Sequence, residues 1–149
     1  MKSLENTKCK PPNRTETPKR WFVLSFLYYG MLSVLSQIPG STLNELEFRL
    51  WDKGVHFGAY GLLGVFLFLG VKQIQRRFFK KNAVLITVGI VALAGAFDEV
   101  HQMFVIGRNA SIGDFIADTL GGAAGAISAG WIYPLAVSNH FKNSKAKIT

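Results

Sequence analysis

Residues 21–37 (WFVLSFLYYGMLSVLSQ) form an uninterrupted stretch without a charge, and further apolar blocks follow at 55–71, 83–97 and 115–137. Runs of this kind leave a chain few options. About 20 apolar residues in helical form cross roughly 30 Å of hydrocarbon. Inside a bilayer the backbone must satisfy its own hydrogen bonds, so the runs are expected to be helices. His56 is the one ionisable residue of block 55–71, and Asp118 the one acid of block 115–137. Block 83–97 is short for a span, so its helix is expected to continue through Asp98-Glu99-Val100-His101-Gln102 to Ile106, with the polar turn facing protein rather than lipid. With 49% hydrophobic and 17% charged residues in 149, the chain reads as an all-α membrane protein with four transmembrane helices. The first block exceeds the usual apolar core of a signal peptide and no small-x-small cleavage site directly follows it, so it is read as a span.

Charge sets the orientation. Lys2, Lys8, Lys10, Arg14, Lys19 and Arg20 precede the first block, Lys72, Arg76, Arg77, Lys80 and Lys81 lie between the second and third, and Lys142, Lys145 and Lys147 follow the fourth. Only Arg49, Lys53 and Arg108 fall in the other two connections. The excess of basic residues on cytoplasmic loops therefore places both termini in the cytoplasm of a multi-pass cell-membrane protein. It also accounts for the net charge of +8 without nucleic acid as a partner, for which no recognition motif is present.

This topology divides the chain into a basic cytoplasmic tail at 1–20 with the composition of a disordered segment, a membrane domain at 21–137, and a second basic cytoplasmic tail at 138–149. In the first extracytoplasmic loop, Pro39-Gly40 is expected to mark a turn, and Ser41 or Thr42 to cap a short interfacial helix carrying Leu43, Leu46, Phe48, Leu50 and Trp51. The single Cys9 excludes an intramolecular disulfide.

Polar residues within the apolar blocks are the exception, and an ionisable group at membrane depth marks a site by default. Asp52, His56 and Tyr60 follow one another at intervals of four and share a helical face. Asp98 lies three and four residues before His101 and Gln102, and Asp114 four before Asp118. Three helices thus present polar stripes near their extracytoplasmic ends, which points to one interhelical cavity facing outward. Glycines at 54, 58, 61 and 64 and the Gly121-Gly122-Ala123-Ala124-Gly125 segment would let the helices approach closely.

Taken in order, Asp52-Lys53-x-x-His56-Phe57-x-x-Tyr60, Asp98-Glu99-x-His101-Gln102 and Gly107-Arg108-x-x-Ser111-x-x-Asp114 resemble the VanZ-like family of small bacterial membrane proteins, named for a teicoplanin-resistance protein. The resemblance covers roughly residues 38–131. It implies a four-helix membrane protein of the cell envelope, linked in some members to resistance to that glycopeptide, with no settled biochemical activity. Two positions depart from the family pattern: Asp118 stands where Asn is usual, and Ile106 where Pro often precedes Gly-Arg.

The residues leave several chemistries open. Asp52, His56, Asp98, Glu99 and His101 are the candidate catalytic residues: Asp52 or Asp98 would orient His56 or His101 as a general base on water or a hydroxyl. Tyr60, Gln102, Arg108, Asp114 and Asp118 are the candidate ligand-binding residues, with Arg108 suited to a phosphate or carboxylate. Ser111 lacks the Gly-x-Ser-x-Gly setting of a serine hydrolase. Neither a metal nor a cofactor is expected, since the Asp98–Gln102 run lacks His-x-x-x-His spacing. The expected partners are the bilayer and a lipid-linked or glycopeptide ligand. A binding protein, a small membrane enzyme and a proton-coupled transporter all fit, and so does a network in which the acids pair with Lys53, Arg108 and the histidines to lock the bundle.

Overall fold

A computed structural model describes residues 17–37, 48–106 and 110–146, and every regular element among the described residues is a helix. Helix α1 spans Thr17–Leu35, α2 Phe48–Gln73, α3 Arg77–Lys81, α4 Ala83–Gln102 and α5 Ile112–Ala146. Three stretches are long and apolar enough to cross a membrane: Lys53–Gln73, Ala83–Gln102 and Ile112–Pro134. The proposed interfacial helix falls largely outside the described residues, and its end, from Phe48, belongs to α2.

Two boundaries differ from expectation. Helix α4 stops at Gln102 rather than reaching Ile106: Phe104 and Val105 donate to the carbonyls of His101 and Gln102 at 3.1 and 3.0 Å, tight turns that close the helix. The basic connection after α2 contains the short helix α3. At the other end of the chain α5 continues past Pro134 into the segment read as a tail.

The surface is the reverse of a water-soluble protein. Phe26 (78%), Leu93 (74%) and Leu85 (73%) are among many large apolar side chains left exposed, whereas Asp98, Glu99, Gln102, Asp114 and Asp118 are buried. That inversion is stable where hydrocarbon is the solvent and polar groups satisfy one another inside.

Contacts between the helices fix the topology. Tyr28 donates to the carbonyl of Ala59 at 3.2 Å and Trp21 packs on Phe66, so α1 and α2 are antiparallel. Tyr29 donates to the carbonyl of Ala94 at 3.1 Å and Ser36 reaches Asp98, so α1 runs with α4. A Cβ at Gly121 would strike the carbonyl of Phe57, and one at Gly125 the carbonyl of Gly61; α2 and α5 therefore run parallel in intimate contact. Gly64 meets Gly122 in the same seam. Small residues let these backbones touch, the packing available to helices that gain no hydrophobic stabilisation from one another in lipid. Gly54 and Gly58, by contrast, face open space.

Two apolar clusters fill the bundle. Phe68, Val71, Ala83, Ala126 and Ala129 lie toward the basic α2–α4 connection, and Tyr60, Leu63, Leu67 and Val91 lie nearer the middle. The end beyond Tyr60 is polar.

Candidate functional site

The alternation of helix directions brings the last residues of α1, the start of α2, the end of α4 and the start of α5 to the same end of the bundle. The polar stripes meet there. His56 Nδ1 lies 2.9 Å from Asp118 Oδ1, and the His56 ring stacks over Tyr60 one turn on, at 6.3 Å between centroids. Lys53 Nζ donates to Asp114 Oδ1 at 2.6 Å and to Ser111 Oγ at 3.5 Å. Ser36 Oγ donates to Asp98 Oδ1 at 2.9 Å, while Gln102 Nε2 donates to Asp98 Oδ2 at 3.4 Å from one turn along α4.

Helix α5 starts here with its own consequences. Ser111 precedes the helix, and its carbonyl accepts the backbone N–H groups of Asp114 and Phe115. The pattern Ser-x-x-Asp often makes a reciprocal cap in which the acid takes the serine N–H. Here the Ser111 N–H goes instead to Glu99 Oε2 of α4, at 2.6 Å, and Asp114 turns to Lys53. Glu99 thereby ties the end of α4 to the entrance of α5, close to the positive end of the α5 dipole.

Packing delivers Asp118 to its place. Asp118 is fully buried, and a Cβ at Gly95 would lie 3.1 Å from its Oδ2; α4 makes room for the carboxylate by having no side chain there. The carboxylates of Asp98 and Asp114 are within electrostatic reach of Asp118. Three buried oxygens in the cluster have no hydrogen-bond partner among the described residues: Tyr60 Oη, Glu99 Oε1 and Asp118 Oδ2. Leaving such groups unmet costs roughly 1–3 kcal/mol each, and more when charged, so each calls for an explanation.

Beside the cluster, Ala96, Glu99, Ala110, Ser111, Ile112 and Phe115 line an open, mostly apolar cleft of about 300 Å³ between α4 and α5. Among the described residues, no three His, Cys, Asp or Glu side chains lie close enough to share a metal ion.

The candidate residues from the sequence divide accordingly. His56, Tyr60, Asp98, Glu99, Gln102, Asp114 and Asp118 come together. His101 stands on the flank of α4, edge-on to Phe97 at 6.0 Å. Asp52 belongs to the backbone of α2, but its side chain, like all of Arg108, lies outside the described residues. Among the described carboxylates Asp118 rather than Asp98 is the one on His56, and the pairing of Asp52 with His56 lies outside the described residues. Ser36 is a candidate functional residue that the sequence did not single out, and its bond to Asp98 spans 62 residues of sequence. Its place at the C-terminal end of the first apolar block was the available signal.

Chemically, an ionised Asp118 would accept the proton on Nδ1 of His56 and fix the tautomer whose lone pair is on Nε2. The arrangement can bind a hydrogen-bond donor through the unmet oxygens, and it contains the carboxylate–imidazole element of a general base.

Comparison with curated proteins and with solved structures yields no match. Comparison with protein families matches residues 11–135 to VanZ/LLP1. That match covers most of the chain, including all the clustered polar residues, and with the apolar helices and their buried acids it makes this chain a membrane protein of the VanZ/LLP1 family.

Proposed function

We propose that this chain crosses the bacterial cell membrane four times, with both terminal tails in the cytoplasm, and that its polar cluster faces outward to bind a glycopeptide, lipid or cell-wall precursor. The observation that carries this reading is the set of buried, unmet oxygens on Tyr60, Glu99 and Asp118, gathered from three helices at one end of the bundle. A network that served only to lock the helices would gain nothing from leaving them unmet. The orientation is supported by the basic residues around α3, at the opposite end from the cluster, since positive loops stay in the cytoplasm. A contribution to teicoplanin resistance is supported by the family resemblance alone.

Catalysis is the second reading, favoured by the His56–Asp118 pair. Nε2 of His56 would take a proton from water or a hydroxyl at a lipid-linked substrate, with Asp118 stabilising the resulting imidazolium. Transport is a weaker reading, because the acids gather at one end rather than lining a path through both leaflets.

The test is separate substitution of His56→Ala, Asp98→Asn and Arg108→Ala. If all three abolish accumulation and detergent stability, the cluster is a structural lock and the binding reading fails. If folded protein persists while binding of a labelled lipid precursor or teicoplanin susceptibility changes, the site is functional. Turnover of that precursor by purified protein, lost in His56→Ala, would select the enzyme.

A further inference from the structure

Four described carboxylates, Asp98, Glu99, Asp114 and Asp118, gather at the polar end, against Lys53 and His56 as the cationic or potentially cationic partners described there. Lys53 is already engaged by Asp114 and Ser111. Asp98 is met by the neutral donors Ser36 and Gln102. Glu99 and Asp118 each retain an unmet oxygen, although these residues are only 8% and 0% exposed. Both atoms are carboxylate acceptors; the Tyr60 hydroxyl, within electrostatic reach of Asp98 and Asp118, makes no hydrogen bond of good geometry. Among the described residues, these two carboxylate oxygens lack a charged hydrogen-bond donor. An anionic head would meet repulsion from the described carboxylates.

The shape of the site narrows the class. Glu99 also lines the cleft between α4 and α5, whose other walls include Ala96, Ile112 and Phe115. Ile112 is 81% exposed, so the cleft opens on the outer face of the bundle. An acid on the wall of an apolar cleft suits a molecule with a donor head and an apolar body.

We infer that the ligand is an amphiphile bearing a primary ammonium group, with its head against Glu99 and its apolar part in the α4–α5 cleft. The inference rests on the reading of the cluster as a binding site. A primary ammonium supplies N–H donors to the unmet Glu99 oxygen; a quaternary one carries the charge without them.

Purified full-length protein in phosphatidylcholine nanodiscs provides the test, with binding read by native mass spectrometry and calorimetry. Dodecylamine should bind saturably, and dodecyltrimethylammonium and dodecyl phosphate more weakly. Propylamine separates an embedded head group from a free amine and should not bind measurably. Glu99→Gln should weaken dodecylamine binding by about tenfold, the loss of a charge-assisted hydrogen bond. Ala96→Leu should weaken it too by filling the cleft while leaving every carboxylate in place, and thermal melts identify any variant that fails to fold. Binding of propylamine as tight as that of dodecylamine would remove the apolar part of the inference. Equal or tighter binding of dodecyl phosphate would overturn the ammonium assignment while leaving a binding site in place. Absence of saturable dodecylamine binding, or binding indifferent to both substitutions, would overturn the inference outright; the labelled-precursor assay then decides separately whether the cluster binds anything.

Discussion

Asp118 Oδ1 of α5 lies 2.9 Å from Nδ1 of His56 in α2, with the carboxylate wholly buried and the imidazole side chain 11% exposed. The pair joins the two helices whose glycines touch a few residues deeper in the bundle. Removing His56 takes the hydrogen-bond partner from a wholly buried carboxylate, which is the costly case. Asp118→Ala is expected to lower stability in detergent by about 1–3 kcal/mol, and His56→Ala by a similar amount. In a double-mutant cycle the two should couple by about 1 kcal/mol, measured by reversible denaturation. Additive losses would mean the two groups do not interact in solution.

Ser36 supplies a shorter test. Its hydroxyl to Asp98 anchors the end of α1 to α4, and Ser36→Ala should cost about 1–2 kcal/mol by leaving one oxygen of a buried carboxylate with a lost donor. Ser33→Ala, one turn earlier, removes no bond to Asp98 and serves as the comparison. Equal thermal shifts for the two would argue against the Ser36–Asp98 contact.

The glycine seam makes a positional prediction. Gly58 and Gly125 look alike in the sequence, yet only Gly125 has backbone against it, the carbonyl of Gly61. Gly58→Ala should leave folding intact, whereas Gly125→Ala should destabilise by about 1–3 kcal/mol through forced separation of α2 and α5. Size-exclusion profiles and melts of the two variants, side by side, distinguish a real seam from glycine that is merely frequent.

Lys53 and Asp114 should behave differently from the buried pair. The lysine side chain is 45% exposed, so water screens the interaction despite its 2.6 Å length. Lys53→Met is expected to change stability by at most about 1 kcal/mol, with the difference shrinking as salt is added. A loss as large as that of Asp118→Ala would show that the pair is shielded from water.

These contrasts mark what a linear reading could reach. Charge-free runs and the spacing of Asp52, His56 and Tyr60 announced the helices and the polar faces, because period and hydropathy are local properties. The same holds for the glycines as a class. Which partners meet is not local. Asp118 rather than Asp98 on His56 depends on α2 and α5 lying side by side, and on Gly95 leaving room for the carboxylate. Ser111 sits in a local capping pattern, yet its N–H is taken by Glu99 from α4. The end of α4 at Gln102 was also hidden, since Met103-Phe104-Val105-Ile106 continues the apolar pattern while its backbone turns.

An outward-facing site requires the polar end of the bundle to be open to water outside the cell. In a Cys9→Ser background, Ala110→Cys places a thiol at an exposed position on the cleft beside Glu99, and Lys81→Cys places one at the exposed end of α3. Whole cells treated with a membrane-impermeant maleimide should label Ala110→Cys and leave Lys81→Cys unlabelled until the membrane is permeabilised. Labelling of Lys81→Cys in intact cells, with Ala110→Cys protected until permeabilisation, would contradict the outward-facing site.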